Sequence, residues 1–541
     1  MSTNNSFAAT GQLLRLILRV DRLKLSLWLI GIVVLIGITP TSIRSITEAE
    51  ARTQGVSPEM ILAQQSVLLE SNGASIALQG PADALDTFGG RYAFEIGAFT
   101  FVIVGLMNVL LIGRHTRSEE ESGRAELVRA AAVGPWSAIA AVSIVAVAAN
   151  TIVAGVTTAV FAADGLEIGP SALFGVSLGL AGLVFAATAL IFVQIFEYSR
   201  ASTGASVGIL GLAFGLRAVG DVNDNAVSLL SPIGWAQAVD AFGDRALWPL
   251  AILVMASISA VGISVALVVR RDVGAGLLSQ RAGPAAAKSW LTSPMGMAWR
   301  LQRSMIGWWV VGVGFMGAVY GSVISAIDEF ADQNEAMVDA LEALGLERGE
   351  LRLGFINITL SMMALIAGGG VLQSLLRPRQ EESAGRVEPI LAGSVARWSW
   401  LGSHLLLTLL AGVAFMVASG AALVVSDALV VGSFSDTAAV MAAAVARVPA
   451  LLAIVGIGVV LYGWRSRASL GIWGVFGAIV ITFFLGEVLR FPEWVKDLSP
   501  IRHVTNLPGS DQGWLSIAVL LSIGLAGVAT GLALFERRDI G

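Results

Sequence analysis

The sequence predicts an all-α polytopic membrane protein in which twelve transmembrane helices form two parallel six-helix repeats. Three observations predict it. Of 541 residues, 55% are hydrophobic and only 13% charged, with a mean hydropathy of +0.78; a soluble domain carries roughly 25% charged residues. Twelve apolar runs are long enough to cross a bilayer, which takes about 20 residues. Five motifs recur collinearly in the two halves. Hydrophobicity this high excludes disorder. The absence of Cys excludes disulfide scaffolds and thiolate metal sites. With a net charge of −5 there is no basic footprint for nucleic acid.

The runs lie at about 25–43, 93–113, 137–162, 171–197, 201–216, 248–269, 305–327, 354–376, 400–427, 437–462, 469–488 and 513–535. The fifth is the shortest. Their continuity favours helices over a barrel, whose strands would be alternating segments of about ten residues. With the N-terminus inside, the inner segments hold 23 of the 34 basic residues and the outer loops 10, with Arg447 inside a span. The positive-inside rule therefore places both termini in the cytoplasm. No cleavable signal peptide is expected, since the first run follows Arg15, Arg19, Arg22 and Lys24 and is long enough to remain as an anchor. Thr10–Lys24 reads as a basic amphipathic helix suited to the inner interface, with a shorter version at Met297–Ile306. External amphipathic helices are expected after Ser57-Pro58-Glu59 and around Met337, Val338, Leu341 and Leu344, ending at Gly345.

The repeats share an offset of 262–281 residues. Arg117-Ser-Glu-Glu-Glu-Ser-Gly-Arg-Ala-Glu126 matches Arg379-Gln-Glu-Glu-Ser-Ala-Gly-Arg-Val-Glu388. Arg200-Ala-Ser-Thr-Gly204 matches Arg467-Ala-Ser-Leu-Gly471, and Leu230-Ser-Pro-Ile233 matches Leu498-Ser-Pro-Ile501. Arg270-Arg-Asp-Val-Gly274 matches Arg537-Arg-Asp-Ile-Gly541, and Arg19-x-x-Arg22 before Trp28 matches Arg300-x-x-Arg303 before Trp309. An even number of spans per half gives both halves one orientation. The chain thus reads as a first half at 1–274, a cytoplasmic linker at 275–298 and a second half at 299–541.

The acidic motifs follow the second span of each half on the cytoplasmic side. Glu120/Arg124 and Glu382/Arg386 are spaced as i,i+4 pairs that support a helix. Such a helix, with Leu127, Val128 or Ile390, Leu391 as an apolar shoulder, is suited to docking on another protein. A solvated surface pair worth ~0.3–0.5 kcal/mol gives little reason to keep Glu, Gly, Arg and Glu at one spacing twice. Within the spans the polar candidates are Asn108, Asn150, Gln194, Asn357 and His404, most simply read as interhelical hydrogen bonds. His115, His404 and His503 have no metal-ligand spacing. No GxxxxGK[ST] occurs, and the only lysines are Lys24, Lys288 and Lys496, so the chain supplies no P-loop and is not expected to be an enzyme by itself.

On these paired motifs, the duplication and the Arg-Arg-Asp ends, the chain resembles the permeases of ABC exporters of the ABC-2 class, most closely the fused actinobacterial polyketide-antibiotic exporters of the tetronasin type. The resemblance implies short cytoplasmic coupling helices that seat in two copies of a separate ATPase, which binds the ATP and Mg. It places Glu119, Glu120, Gly123, Arg124 and Glu126, and Glu381, Glu382, Gly385, Arg386 and Glu388, in those contacts. The contacts are expected to be unequal, because Glu121 is matched by Ser383 and Pro135 by Arg397. The resemblance also implies a pathway lined by the second and fifth spans of each half, with Met107, Asn108, Asn357, Met362, Phe483 and Phe484 as candidates. The expected function is ATP-driven export of amphipathic or hydrophobic compounds such as antibiotics, drugs or lipids across a bacterial cell membrane. The residues alone leave open a secondary transporter with 6+6 repeats, although the spans offer no well-centred acid for ion coupling. They also leave open a non-transporting membrane sensor.

Overall fold

A computed structural model describes residues 6–70, 73–130, 133–268, 270, 276–278, 286–333, 348–431, 437–486, 491–504 and 513–539. Among them are twelve helices long and apolar enough to cross a membrane, as expected. The chain divides into two compact units, Met1–Ala282 and Gly283–Gly541.

In the first unit the spans are Thr10–Gln54, Phe88–His115, Ser137–Ala163, Ile168–Ile195, Ser199–Val222 and Trp248–Val268. The fifth is longer than its apolar run, because polar residues at both ends continue the helix. The second and fourth spans form the core: 72% and 67% of their apolar windows are buried, against 17% for the first and sixth. In the second unit the seventh to ninth spans are Pro294–Gln333, Arg348–Leu375 and Arg397–Val431. The tenth is split into Thr437–Val445 and Val448–Trp464, and the last two are Ile472–Leu485 and Gly513–Arg537. Here the eighth and tenth are the core, each 72% buried. The same ordinal positions are thus buried in both units, as a duplication requires.

Local sequence explains the boundaries. Thr87 caps the second span by accepting a hydrogen bond from Gly90 N at 3.0 Å. The tenth span breaks ahead of Pro449, whose nitrogen cannot donate. Arg447 occupies the break, donating to Asn357 O at 2.8 Å, Asn357 Oδ1 at 3.1 Å and Ser361 Oγ at 3.3 Å. The tenth and twelfth spans meet in backbone contact, since a Cβ on Gly531 would lie 2.5 Å from Val459; close approach of this kind takes small residues.

Two amphipathic segments differ in form from expectation. Thr10–Lys24 is not a separate helix but the first four turns of a 45-residue helix, about 67 Å long at 1.5 Å per residue. No breaker stands between it and the apolar run. Met297–Ile306 is likewise continuous with the seventh span. The helix expected after Ser57-Pro58-Glu59 forms at Pro58–Glu70, with Ser57 Oγ accepting from Met60 N at 3.4 Å. The helix expected around Met337–Leu344 lies outside the described residues. A further short helix, Gly73–Gln79, is stitched to the fifth span by Arg217, which donates to Ile76 O at 3.1 Å and Ala77 O at 2.9 Å.

Candidate functional site

The two acidic motifs form the same local device. After the second span, a short helix Arg117–Glu121 stops, Gly123 takes φ +74°, and a second short helix Arg124–Arg129 leaves in a new direction. In the other copy, Arg377–Ser383 stops, Gly385 takes φ +67°, and Glu388–Leu391 follows. Left-handed backbone is the reason for glycine at both positions, because nothing lies within 4 Å of either Cβ position.

The turn changes the expected pairing. Arg124 bonds not Glu120 but Glu119, bidentately at 2.8 and 3.0 Å. Arg386 bonds not Glu382 but Glu381, at 2.7 and 3.1 Å. The i,i+4 reading assumed one continuous helix. The left-handed glycine swings the arginine back across the break, so Glu119–Arg124 staples the two short helices of the first copy together, and Glu381 holds Arg386 in the turn between Arg377–Ser383 and Glu388–Leu391. The Glu381 carboxylate raises the Arg386 guanidinium above its ordinary pKa.

Glu120 and Glu382 are tied to their bundles, and in the second copy the stapling Glu381 is itself buried. Glu120 accepts from the buried Arg117 at 2.6 Å, and Arg117 also donates to Glu197 O at 2.5 Å, where the fourth span ends. Glu382 accepts from Tyr462 Oη at 2.6 Å and Arg538 at 2.7 Å; Arg538 also donates to Tyr462 O. Glu121, Arg124, Glu126 and Leu127 of the first copy are exposed, as are Ser383, Gly385, Arg386 and Glu388 of the second. Each segment therefore has an anchored inner side and an open outer side.

Arg117, Tyr462 and Arg538 were not among the expected site residues, but the sequence held a signal for two of them. Arg117 opens the repeated motif, as Arg379 does, and Arg379 donates to Ser466 O at 3.1 Å. Arg538 belongs to the repeated Arg-Arg-Asp end.

The N-terminal helix packs on the first copy. Gly134 N and Trp136 N donate to Ala8 O and Ser6 O, so the chain start lies against the segment that follows the motif. A cavity of about 280 Å³ lies between them, with Leu13, Ile17 and Val20 on one side and Glu119, Arg124 and Val128 on the other. Beneath it, the buried Asp21 pairs with Arg114 and lies 3.0 Å from His115 Nε2. At the corresponding joint in the second unit Gln302 takes the place of Asp21. Gln302 accepts from Ser374 Oγ at 2.5 Å and bonds His404 Nδ1 at 3.0 Å.

The pathway candidates are dispersed. Asn108 is fully buried in the first unit, donating to Asn150 Oδ1 at 3.1 Å and accepting from Asn150 Nδ2 at 2.8 Å. Met107 is buried beside Asp21 and Trp28. In the second unit Asn357 holds Arg447, Met362 and Phe483 are half-buried, and Phe484 is exposed. Among the described residues, the 280 Å³ cavity lined by Glu119, Glu120 and Arg124 includes neither Met107 nor Asn108.

Comparison with known proteins gives this architecture a family. A family profile described as the C-terminal domain of the multidrug efflux system permease Rv1217c matches residues 291–536. The chain is also 30% identical to the multidrug efflux system permease protein Rv1217c of Mycobacterium tuberculosis over 538 residues, which span 99% of this chain and 96% of that relative. With the match running end to end through both six-span units, the chain belongs to the family of multidrug efflux permeases.

Proposed function

We propose that this permease is the membrane subunit of an ATP-driven exporter of the ABC-2 class, related to the tetronasin-type antibiotic exporters. Two copies of a separate ABC ATPase carry the ATP and Mg and dock on the two glycine-hinged segments. The substrates are amphipathic or hydrophobic small molecules, antibiotics among them, and both termini face the cytoplasm of the bacterial cell. The observation that carries this reading is the duplicated pair, Glu119–Arg124 and Glu381–Arg386, each with an open outer face and an inner carboxylate tied to its own bundle. A solvated loop needs no such inner anchor. A lever does: a pull on the outer face passes through Arg117 to the end of the fourth span, and through Glu382 and Arg538 to the tenth and twelfth. The sequence has no P-loop of its own, which supports the reading that a partner hydrolyses the ATP.

The test uses the exposed face. Glu126→Lys with Glu388→Lys places like or unpaired charge in the proposed contact while touching no bond inside the bundle. Such contacts lose about 2–5 kcal/mol when one member is left unpaired. Expected are normal permease levels in the membrane, at least a tenfold loss of ATPase co-purification and no export. Wild-type co-purification by the double variant would sink the docking assignment. Glu120→Lys is the wrong probe, because it sets a lysine against Arg117 inside the fold.

A further inference from the structure

Toward the end of the first unit opposite the hinged segment, beside residues 90–101 of the second span and so about 21–38 Å from its last residue at 1.5 Å per residue, lies a second cavity of about 50 Å³. Its walls are the rings of Phe94, Phe101, Phe174 and Phe242, with Phe174 in edge contact with Phe101 at 6.2 Å and in tilted contact with Phe242 at 6.3 Å. Asp83 and Asp240 also line it, Asp83 at the exposed mouth.

Gln79, Asp83 and Gln237 bring acceptors to the lining, whereas Asp240 already accepts from Gly243 N at 3.0 Å and Asp244 N at 2.6 Å, and Ser177 Oγ donates to Phe174 O at 2.8 Å. Gln79 donates its Nε2 to Glu95 at 2.8 Å, and Gln237 donates its Nε2 to Gln79 O at 3.2 Å. Both Oε1 atoms are left buried with no hydrogen-bond partner. Turning the Gln79 amide over would set its oxygen against the Glu95 carboxylate, so the hydrogen-bond network settles the assignment. A buried acceptor left unmade costs about 1–3 kcal/mol, and two in one small cavity call for a donor from outside the chain. Desolvation and the carboxylates of Asp240, Asp244 and Asp224 push Asp83 above the usual carboxylate range, a repulsion that a bound cation relieves. A metal ion fits poorly: no group of three His, Cys, Asp or Glu among the described residues could hold one, and four phenyl rings offer no ligand. Aromatic faces do attract organic cations.

We propose that this cavity binds the protonated amine head of an amphipathic organic cation, whose N–H groups donate to Gln79 Oε1, Gln237 Oε1 and Asp83 while its carbon skeleton extends through the mouth. Drug-sized sites run to roughly 300–1,000 Å³, so a cavity this small seats the head alone. Organic ammonium compounds are thereby a substrate class of the permease, a step that rests on the efflux reading.

The test is calorimetric titration of the purified full chain in detergent with benzylammonium chloride, and with benzyl alcohol as its neutral counterpart. Benzylammonium is expected to bind at least tenfold more tightly. Asp83→Asn should weaken it about tenfold and Phe242→Leu several-fold, while Asp86→Asn, on the same loop but outside the cavity, changes nothing. Melting temperatures establish that each variant is folded. Gln237→Met keeps the approximate shape and removes both the orphaned oxygen and the Nε2 donor to Gln79 O, so it should lower benzylammonium affinity in protein that its melting curve shows to be folded; unchanged affinity would remove Gln237 from the site. Equal affinity for alcohol and ammonium, or no effect of Asp83→Asn, overturns the site and leaves ordinary water as its filling. Because binding is read on the chain alone, it does not depend on the ATPase. Binding without export of benzylammonium in cells would keep the site and overturn the substrate class.

Discussion

At the scale of single residues, the two left-handed glycines decide what the acidic motifs are. Gly123 and Gly385 sit at φ +74° and +67° in open space, so a methyl group there meets no neighbour. The whole cost of alanine is backbone strain, about 1–2 kcal/mol, and it can be escaped by straightening the segment into one helix. Straightening would break the Glu119–Arg124 and Glu381–Arg386 pairs. Gly123→Ala with Gly385→Ala is therefore expected to leave membrane levels near normal and to reduce ATPase co-purification several-fold. Asparagine tolerates this conformation better than alanine, so Gly123→Asn with Gly385→Asn should recover part of the loss. Indistinguishable alanine and asparagine variants would show that the hinge is not what the partner reads. The residues of this site were legible from their repetition, but their pairing was not. Spacing alone favours Glu120 with Arg124, and only the backbone reversal reveals the partner to be Glu119.

At the scale of elements, the informative comparison is the joint between the first and second helices of each unit. The repeat aligns Asp21 with Gln302. One unit buries an Asp–Arg–His cluster there, and the other a neutral Gln–Ser–His–Thr chain. Removing one partner of a buried charge pair typically costs 3–5 kcal/mol, whereas an orphaned neutral group costs about 1–3. Arg114 retains 27% exposure, so water recovers part of the first cost. Asp21→Ala is expected to destabilise the chain by ~3 kcal/mol and Gln302→Ala by ~1 kcal/mol, read as thermal unfolding in one detergent. Equal losses would mean that the Asp21 cluster contributes only packing. The helices themselves were readable, because twelve apolar runs and a turn chemistry such as Ser57-Pro58 are local signals. The unbroken 45-residue first helix was not. A basic amphipathic stretch reads as a separate interfacial helix, and its continuity shows only in the absence of any breaker between Lys24 and the apolar run. Asp21 was overlooked for a related reason. It stands between Arg19 and Arg22 and reads as part of a solvated flank until Arg114 and His115 arrive from the second span.

At the scale of the whole molecule, duplication fixes the orientation of one unit by that of the other. Both units carry six spans and place their hinged segment at the same end of their second helix. A single labelling result on one segment therefore makes a commitment about the other. The bias of basic residues toward one side, 23 against 10, is the ground for the proposal that both segments face the cytoplasm. The absence of native Cys makes single-cysteine labelling free of background. Ser122 and Ser383 are exposed at the two hinges, and Thr53 is exposed near the far end of the first helix. In intact cells, Ser122→Cys and Ser383→Cys should be shielded from an impermeant thiol reagent and react only after permeabilisation, while Thr53→Cys should react at once. Labelling of one hinge but not the other would mean that the two halves have opposite orientation, which is incompatible with parallel repeats of six. Labelling of both hinges in intact cells would invert the molecule and remove the ATPase from reach of either segment. Only shielding at both, with reaction at Thr53, is compatible with a cytoplasmic enzyme driving two levers in one membrane subunit.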